Sequence, residues 1–387
     1  MAIPINYNLR NLAERRVSTA MTSLGATVAV GVLVSVLALV EGLRTSFAAS
    51  GEPNDLLVLR KGSTSEMMSV VTRQNFQDIR ERPGIEPGPD GQPLASLEIV
   101  DVVNVADPER GKDMNFNLRG MLPVGFLLRQ SFRIIEGRRF EPGRREVIVG
   151  KSIAARFPRA RPGTMLTFGH GDWKIAGVFE VGRTVFNGEI WADLNQVSAD
   201  YNRTQNLSSI LLRVRPQYAA SLTSSLEQDR RFTLKVTPEQ QYYADQTSAA
   251  APVQFMGVLV AITTAVGSAF AAMNTMYAAV ARRSPEIGTL RALGFTRTQV
   301  LWSFVTESLV LALLGGAVGC LLSLPLNYIN TDIGSFNTFS TMTFNFHVSL
   351  KAMMWGMTFA IFIGGCGGVL PAARAARLDI VSALKRR

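Results

Sequence analysis

The sequence predicts an α-helical membrane protein with four transmembrane helices and a large α+β extracytoplasmic domain inserted between the first and second of them. Three observations carry that expectation. The hydrophobic residues, 47% of 387, gather into four runs almost free of charge. Each run reaches the ~20 residues a helix needs to cross a hydrocarbon core of about 30 Å. The basic residues gather as well: the segments around 10–16, 282–297 and 374–387 contribute +2, +3 and +4, together +9 of the net +10. Basic flanks on apolar spans form the positive-inside pattern, which puts both termini and the middle loop in the cytoplasm. Between the first two runs lies a stretch of mixed texture, nearly balanced in Lys/Arg and Asp/Glu, as an aqueous domain would be. Basicity confined to membrane flanks speaks against a nucleic-acid partner.

Residues 1–16 read as a cytoplasmic amphipathic helix. Ile5, Leu9 and Leu12 recur at helical spacing among Arg and Asn, which suits a helix lying on membrane lipid; a plain charged flank is the simpler alternative. The first span, 17–40, carries no charge between Arg16 and Glu41. Its apolar run exceeds the 7–15 residues of a secretory signal, so it reads as a retained anchor. Gly25, Ala29 and Gly31 permit close contact with another helix.

Residues 41–245 form the extracytoplasmic domain and its stalk. Leu56–Arg60, Leu97–Val105, Glu146–Val149, Trp173–Glu180 and Ser208–Val214 read as strands. Thr72 caps a helix carrying Phe76 and Ile79 and closed by Pro83; residues 152–157 and 217–228 are further helix candidates. The Pro- and Gly-rich segment 85–93 is a turn or exposed loop. One α+β domain is expected, with a division into two lobes near 84–145 left open.

Residues 246–281 bring the stalk end and the second span. All 36 positions are uncharged, and as one helix they would reach about 54 Å, too long for a bilayer. Pro252 is tolerated in a first helical turn, so the span starts near it and residues 242–251 become a polar outer stalk. The cytoplasmic loop 282–298 follows. In it Ile287, Leu290 and Leu293 lie three apart, one apolar stripe on a helix of about two turns, surrounded by Arg282, Arg283, Arg291 and Arg297. So short a helix does not hold in water alone and rests on the bilayer surface, a soluble partner, or both.

The third span, 299–326, carries only Glu307. A lone acid within a span is a functional candidate by default, but no second intramembrane acid accompanies it for a proton path. A structural contact with Arg297 or the interface is the favoured role. Gly315 and Gly319 in this span, and Gly364 and Gly368 in the fourth (352–373), are GxxxG pairs suited to tight helix crossing or dimerisation; the commonness of small residues in membrane helices is the alternative. An outer loop, 327–351, joins these two spans. Pro371 marks the exit of the last helix, and 374–387 form a basic cytoplasmic tail. Cys320 and Cys366 lie near opposite ends of antiparallel spans, so no disulfide is expected.

The chain carries few motifs that suggest chemistry. Gly150-Lys151-Ser152 imitates the end of a phosphate loop, but Arg145 stands where its first Gly belongs. Any ATPase is therefore expected on a separate subunit. His170 and His347 are the only histidines and neither has a cysteine nearby, so neither a zinc site nor a catalytic triad is expected. The GHGDW segment around His170 reads as a hairpin turn. No catalytic constellation supports a membrane-bound enzyme.

The order of one span, a large outer domain and three more spans resembles the permease subunits of the MacB/FtsX-like ABC transporters. EIGTLRALGFTRTQVLWSFVTESLVLALLGGAVG, from Glu286 to Gly319, is similar to that family's coupling segment. EGRRFEPGRREVIVGKSIAARF and WKIAGVFEVGRTVFNGEIWADL, at 136–157 and 173–194, are similar to its MacB-type periplasmic core domain. A fused ATPase domain is missing, so stand-alone permeases fit better than MacB itself. The resemblance implies a non-catalytic permease of the bacterial inner membrane, its large domain periplasmic. Two permease chains, expected as a homodimer, would pair with two cytoplasmic ATPase subunits that bind ATP and Mg, with no cofactor in this chain. Movement of the outer domains would then drive efflux by mechanotransmission. Carried onto this sequence, Glu286, Ile287, Gly288, Leu290, Arg291, Ala292, Leu293 and Gly294 form the coupling helix, with Arg282 and Arg283 at its entry. In a Gram-negative cell a periplasmic adaptor and an outer-membrane duct are expected partners. Two alternatives remain open. One is a lipoprotein-releasing (Lol-type) permease; the other is an FtsX-like transmitter to a cell-envelope enzyme, although the outer domain of such transmitters is usually smaller.

Overall fold

The computed structural model describes residues 16–107, 112–247, 251–328, 330–334 and 341–377. The expected helix over 1–16 falls almost entirely outside the described residues, as do positions 248–250 of the expected stalk and the tail beyond 377. The chain divides into two compact units. One comprises Met1–Gly42, Ala251–Ile329 and Phe346–Arg387; the other comprises Leu43–Ala250 and Asn330–Asn345.

Helix α1 (Arg16–Ala48) is long and apolar enough to cross a membrane. It continues beyond the charge-free run, past Glu41, to Ala48. The inserted domain then begins with β1 (Asp55–Arg60) and β2 (Val71–Thr72), followed by α2 (Arg73–Arg80). The Thr72 hydroxyl accepts from the Asn75 N–H at 3.1 Å while the Asn75 side chain accepts from the Thr72 N–H at 3.0 Å, a reciprocal cap. Phe76 and Ile79 on α2 are buried. Next come β3 (Ala95–Asp107), β4 (Lys112–Met121), α3 (Gly125–Leu128), β5 (Phe132–Gly137), β6 (Glu146–Gly150) and α4 (Lys151–Arg156). The GHGDW turn joins β7 (Met165–Phe168) to β8 (Gly171–Val181). The domain ends with β9 (Glu189–Asp193), α5 (Leu194–Asp200), β10 (Asn206–Leu207), β11 (Ser209–Arg213), α6 (Pro216–Gln228), β12 (Leu234–Pro238) and α7 (Glu239–Gln246).

Ten strands form one sheet in the order β12-β1-β11-β3-β4-β9-β6-β8-β5, with β7 on β8. Most ladders are antiparallel; β4/β9 and β6/β8 run parallel. β3 and β4 pair continuously from Glu98↔Met121 to Asp107↔Lys112. Residues 84–145 thus supply strands to the common sheet, and the two-lobe division is not seen. β6, β9 and β11 are buried at every position, which follows from layers covering both faces.

The expected polar stalk is corrected in part. Over its described portion α7 is folded into the domain, with Glu239, Tyr242 and Tyr243 buried. The Tyr243 ring lies against Phe47 and Phe186, with centroids 6.5 and 5.6 Å away.

The membrane unit continues with α8 (Ala251–Arg282), α9 (Ser284–Ala292), α10 (Arg297–Ser323) and α11 (Leu350–Ala376). With α1, the helices α8, α10 and α11 provide four candidate spans. A hairpin, β13 (Asn330–Gly334) with β14 (Thr341–Asn345), lies between the last two. Pro371 does not end α11, which runs on to Ala376. Within a packed bundle neighbouring groups satisfy the backbone that a proline frees, and Pro371 is buried here.

Candidate functional site

The corner between α8 and α10 is built by alternating inward and outward side chains on α9. The Arg283 N–H donates to Ala279 O, and Arg283 O accepts from the Ile287 N–H, each at 3.0 Å. Arg283 therefore closes one helix and opens the next. Ile287 enters a cluster with Met276, Val280, Val300, Phe304 and Ala372. Gly288 is buried, Leu290 and Arg291 are half-buried, and Arg282, Glu286, Ala292 and Gly294 are exposed. The apolar stripe read from the sequence divides: its first residue packs on the chain's own spans, and its last, Leu293, is 72% exposed. Gly294 has φ +95°, a left-handed conformation that glycine adopts without penalty. The Gly294 and Phe295 N–H groups donate to Arg291 O and Leu290 O at 3.2 Å, a Schellman stop. Thr296 then caps α10 in a reciprocal pair with Gln299.

Arg283 points inward. Its Nη1 donates to Glu307 Oε2 at 2.8 Å with both side chains almost fully buried, and its guanidinium sits 6.0 Å from the Phe304 ring centroid. The structural contact expected of Glu307 is thus made with Arg283, not Arg297. Arg283, expected at the ATPase contact, lies instead inside the bundle. The signal that could have paired it was the single acid in the following span.

The four GxxxG glycines meet neighbours within the same chain. A Cβ on Gly315 would lie 2.4 Å from Ser23 O, and one on Gly319 2.7 Å from Thr27 O, so α10 crosses α1 there. A Cβ on Gly364 would lie 2.7 Å from the Ala312 Cβ, and one on Gly368 2.5 Å from the Ser308 Cβ, where α11 crosses α10. Hydroxyls fasten the crossings: Thr27 to Gly315 O at 3.1 Å, Ser308 to Gly364 O at 2.7 Å, and Ser268 to Gly25 O at 2.8 Å.

In the inserted domain, Arg119 on β4 donates to Glu66, Glu98 and Glu189 at 2.8–3.1 Å, all four side chains buried. Arg129 holds Glu98 in a two-bond fork at 2.8 and 2.9 Å. Burial works against ionisation of Glu98, yet Arg129 and Arg119 hold it down to about 2. Glu239, the first residue of α7, accepts the Glu52 N–H at 2.9 Å. Burial pushes its carboxyl up to about 8, with Arg129 pulling the other way. Tyr242 OH accepts the Glu66 N–H at 3.0 Å. Beside this network is a cavity of about 50 Å³, the space of a few waters. Among the described residues no group of three or more His, Cys, Asp or Glu could hold a metal ion.

A four-span bundle with a large α/β insertion and a short helix turned between its second and third spans defines a multi-pass membrane protein of the permease class. Residues 19–229 match the model of the MacB-like periplasmic core domain, and residues 258–380 that of the FtsX-like permease C-terminal domain. The chain belongs to the MacB/FtsX-like ABC transporter permease family. It is 24% identical to the Uncharacterized ABC transporter permease YknZ of Bacillus subtilis, covering 98% of each chain. It is also 24% identical to the Macrolide export ATP-binding/permease protein MacB of Chromobacterium violaceum, across 97% of this chain and 59% of that protein's length. The crystal structure of the extracellular domain of the noncanonic ABC-type transporter YknZ from Gram-positive bacteria matches 48% of this chain and all of its own, at 14% identity and a TM-score of 0.38.

Proposed function

We propose that this chain is the permease subunit of a MacB-like ABC transporter. A separate cytoplasmic ATPase, binding ATP and Mg²⁺, moves the extracytoplasmic domains and drives export of substrate from the periplasm or membrane by mechanotransmission. The observation that carries the reading is the build of α9. Its inner end is fastened to the spans by Ile287 and Arg283, while Leu293 stands 72% exposed at its tip beside Ala292 and Gly294. A capped helix presenting an apolar side chain between two spans is suited to seat in a groove of another protein. Arg282, Glu286 and Arg291 flank that contact. On this reading the chain sits in a bacterial inner membrane with both termini and α9 cytoplasmic, pairs with a second permease chain, and in a Gram-negative cell meets an adaptor and outer-membrane duct. No structural feature favours the lipoprotein-releasing or signal-transmitting alternative.

The test is co-purification of the ABC-type ATPase with the full chain, comparing wild type with Leu293→Asp, a position where exposure spares the fold. The expected outcome is a monodisperse permease that no longer retains the ATPase. Retention with hydrolysis responding as in wild type would show that α9 is not the contact.

A further inference from the structure

Three helices converge on one side chain. Arg283 shares backbone hydrogen bonds with the last turn of α8 and the first turn of α9, and its guanidinium reaches Glu307, ten residues into α10. Two other ties at this corner are weaker constraints. The connection from α9 to α10 passes through Gly294, whose backbone is inherently permissive. Ile287 meets Val300 and Phe304 by apolar contact, which has no preferred direction. A hydrogen-bonded ion pair is directional, and separating its members inside an apolar bundle strands two charges without water. Of these three ties it is the one that fixes both distance and direction.

We propose that the Arg283–Glu307 pair is an internal joint that makes the α8–α9 corner and the third span move as one body. Displacement imposed on α9 then passes into α10 instead of being absorbed by the turn at Gly294. Arg283 is a positioning residue acting within the chain, not a docking residue. The proposal rests on α9 being the ATPase contact.

The experiment uses the full chain co-expressed with its ATPase and reads two quantities: ATPase retained per permease, and permease-dependent change in hydrolysis per retained ATPase. Removing one partner leaves a buried charge and endangers folding, so the informative variant is the double Arg283→Met with Glu307→Leu, which removes both. It is expected to retain the ATPase, because the exposed tip of α9 is untouched, while the permease-dependent change falls about tenfold, the scale of a single coupling network. Arg283→Lys keeps a cation for the single hydrogen bond and is expected to stay within about threefold of wild type on the same scale. Wild-type coupling in the double variant overturns the joint. Loss of the ATPase from the double variant also overturns it, by returning Arg283 to the docking surface. Failure of the contact reading is seen separately, as undiminished ATPase retention by Leu293→Asp.

Discussion

Glu239 shows how far a single carboxyl can be governed by its surroundings. It is buried at the head of α7, near Glu98 and Asp55, with Arg129 as its opposing charge. Burial also lifts Asp55 to about 6, although Arg213 forks onto it at 2.7 and 2.9 Å. The folded-state value of Glu239, about 8, lies above its ordinary 4.5. Its proton is thus held more tightly in the folded than in the unfolded chain. The resulting stability is fully present below about pH 4.5 and is lost as pH climbs through 8, a loss on the order of several kcal/mol. Thermal melting of the full chain in detergent should therefore fall by several degrees between about pH 6 and about pH 9, and Glu239→Gln should flatten that fall. An identical pH profile in the variant would mean that another group carries it. Glu98 acts in the opposite sense: with its value depressed to about 2, its contribution disappears only in strong acid.

At the scale of elements, the glycines of α11 offer an internal control. A Cβ on Gly364 would meet Ala312 and the Ser308 carbonyl, whereas one on Gly365 meets nothing within 4 Å. Gly364→Leu should destabilise the bundle by about 1–3 kcal/mol, the usual cost of overfilling a close-packed contact. Gly365→Leu should melt like wild type. Equal melting of the two variants would remove the α10–α11 crossing at Gly364. The sequence located these pairs but left open whether they served crossing within the chain or dimerisation; only the positions of Ser23, Thr27, Ala312 and Ser308 assign each pair its neighbour. The α9 stripe had the same limit. Spacing identifies three apolar residues on one helix, but which end is covered depends on α10 packing over Ile287.

For the whole molecule, the spans were legible because the cost of charge in lipid leaves long uncharged runs, and the loop helix because little else fits between two of them. The inserted sheet was only partly legible. β4 and β9 escaped reading because their inward positions hold Arg119 and Glu189, which pair with each other and break the apolar pattern a strand search needs. The stalk expected over 242–251 follows from an uncharged run too long for one span, and spacing alone does not show that Tyr242 and Tyr243 are buried in the domain. The topology itself is open to direct measurement. With Cys320 and Cys366 replaced by Ala and the chain expressed without its ATPase, Leu293→Cys should resist a membrane-impermeant maleimide in intact cells and react after lysis. Met68→Cys, at a residue 61% exposed in the large domain, should react in intact cells once any outer barrier is opened. The reverse pattern would invert the orientation inferred from the basic flanks.

The Schellman stop at Gly294 has a consequence for evolution. By ending α9 immediately after Leu293, it limits the outward face to a handful of side chains, while the rest of the helix is committed to its own bundle. A contact confined to so small a patch, as proposed for α9, would change partner through very few substitutions. On the proposed reading of α9 as the ATPase contact, grafting its exposed positions between paralogous permeases should exchange their motors without rebuilding either membrane domain.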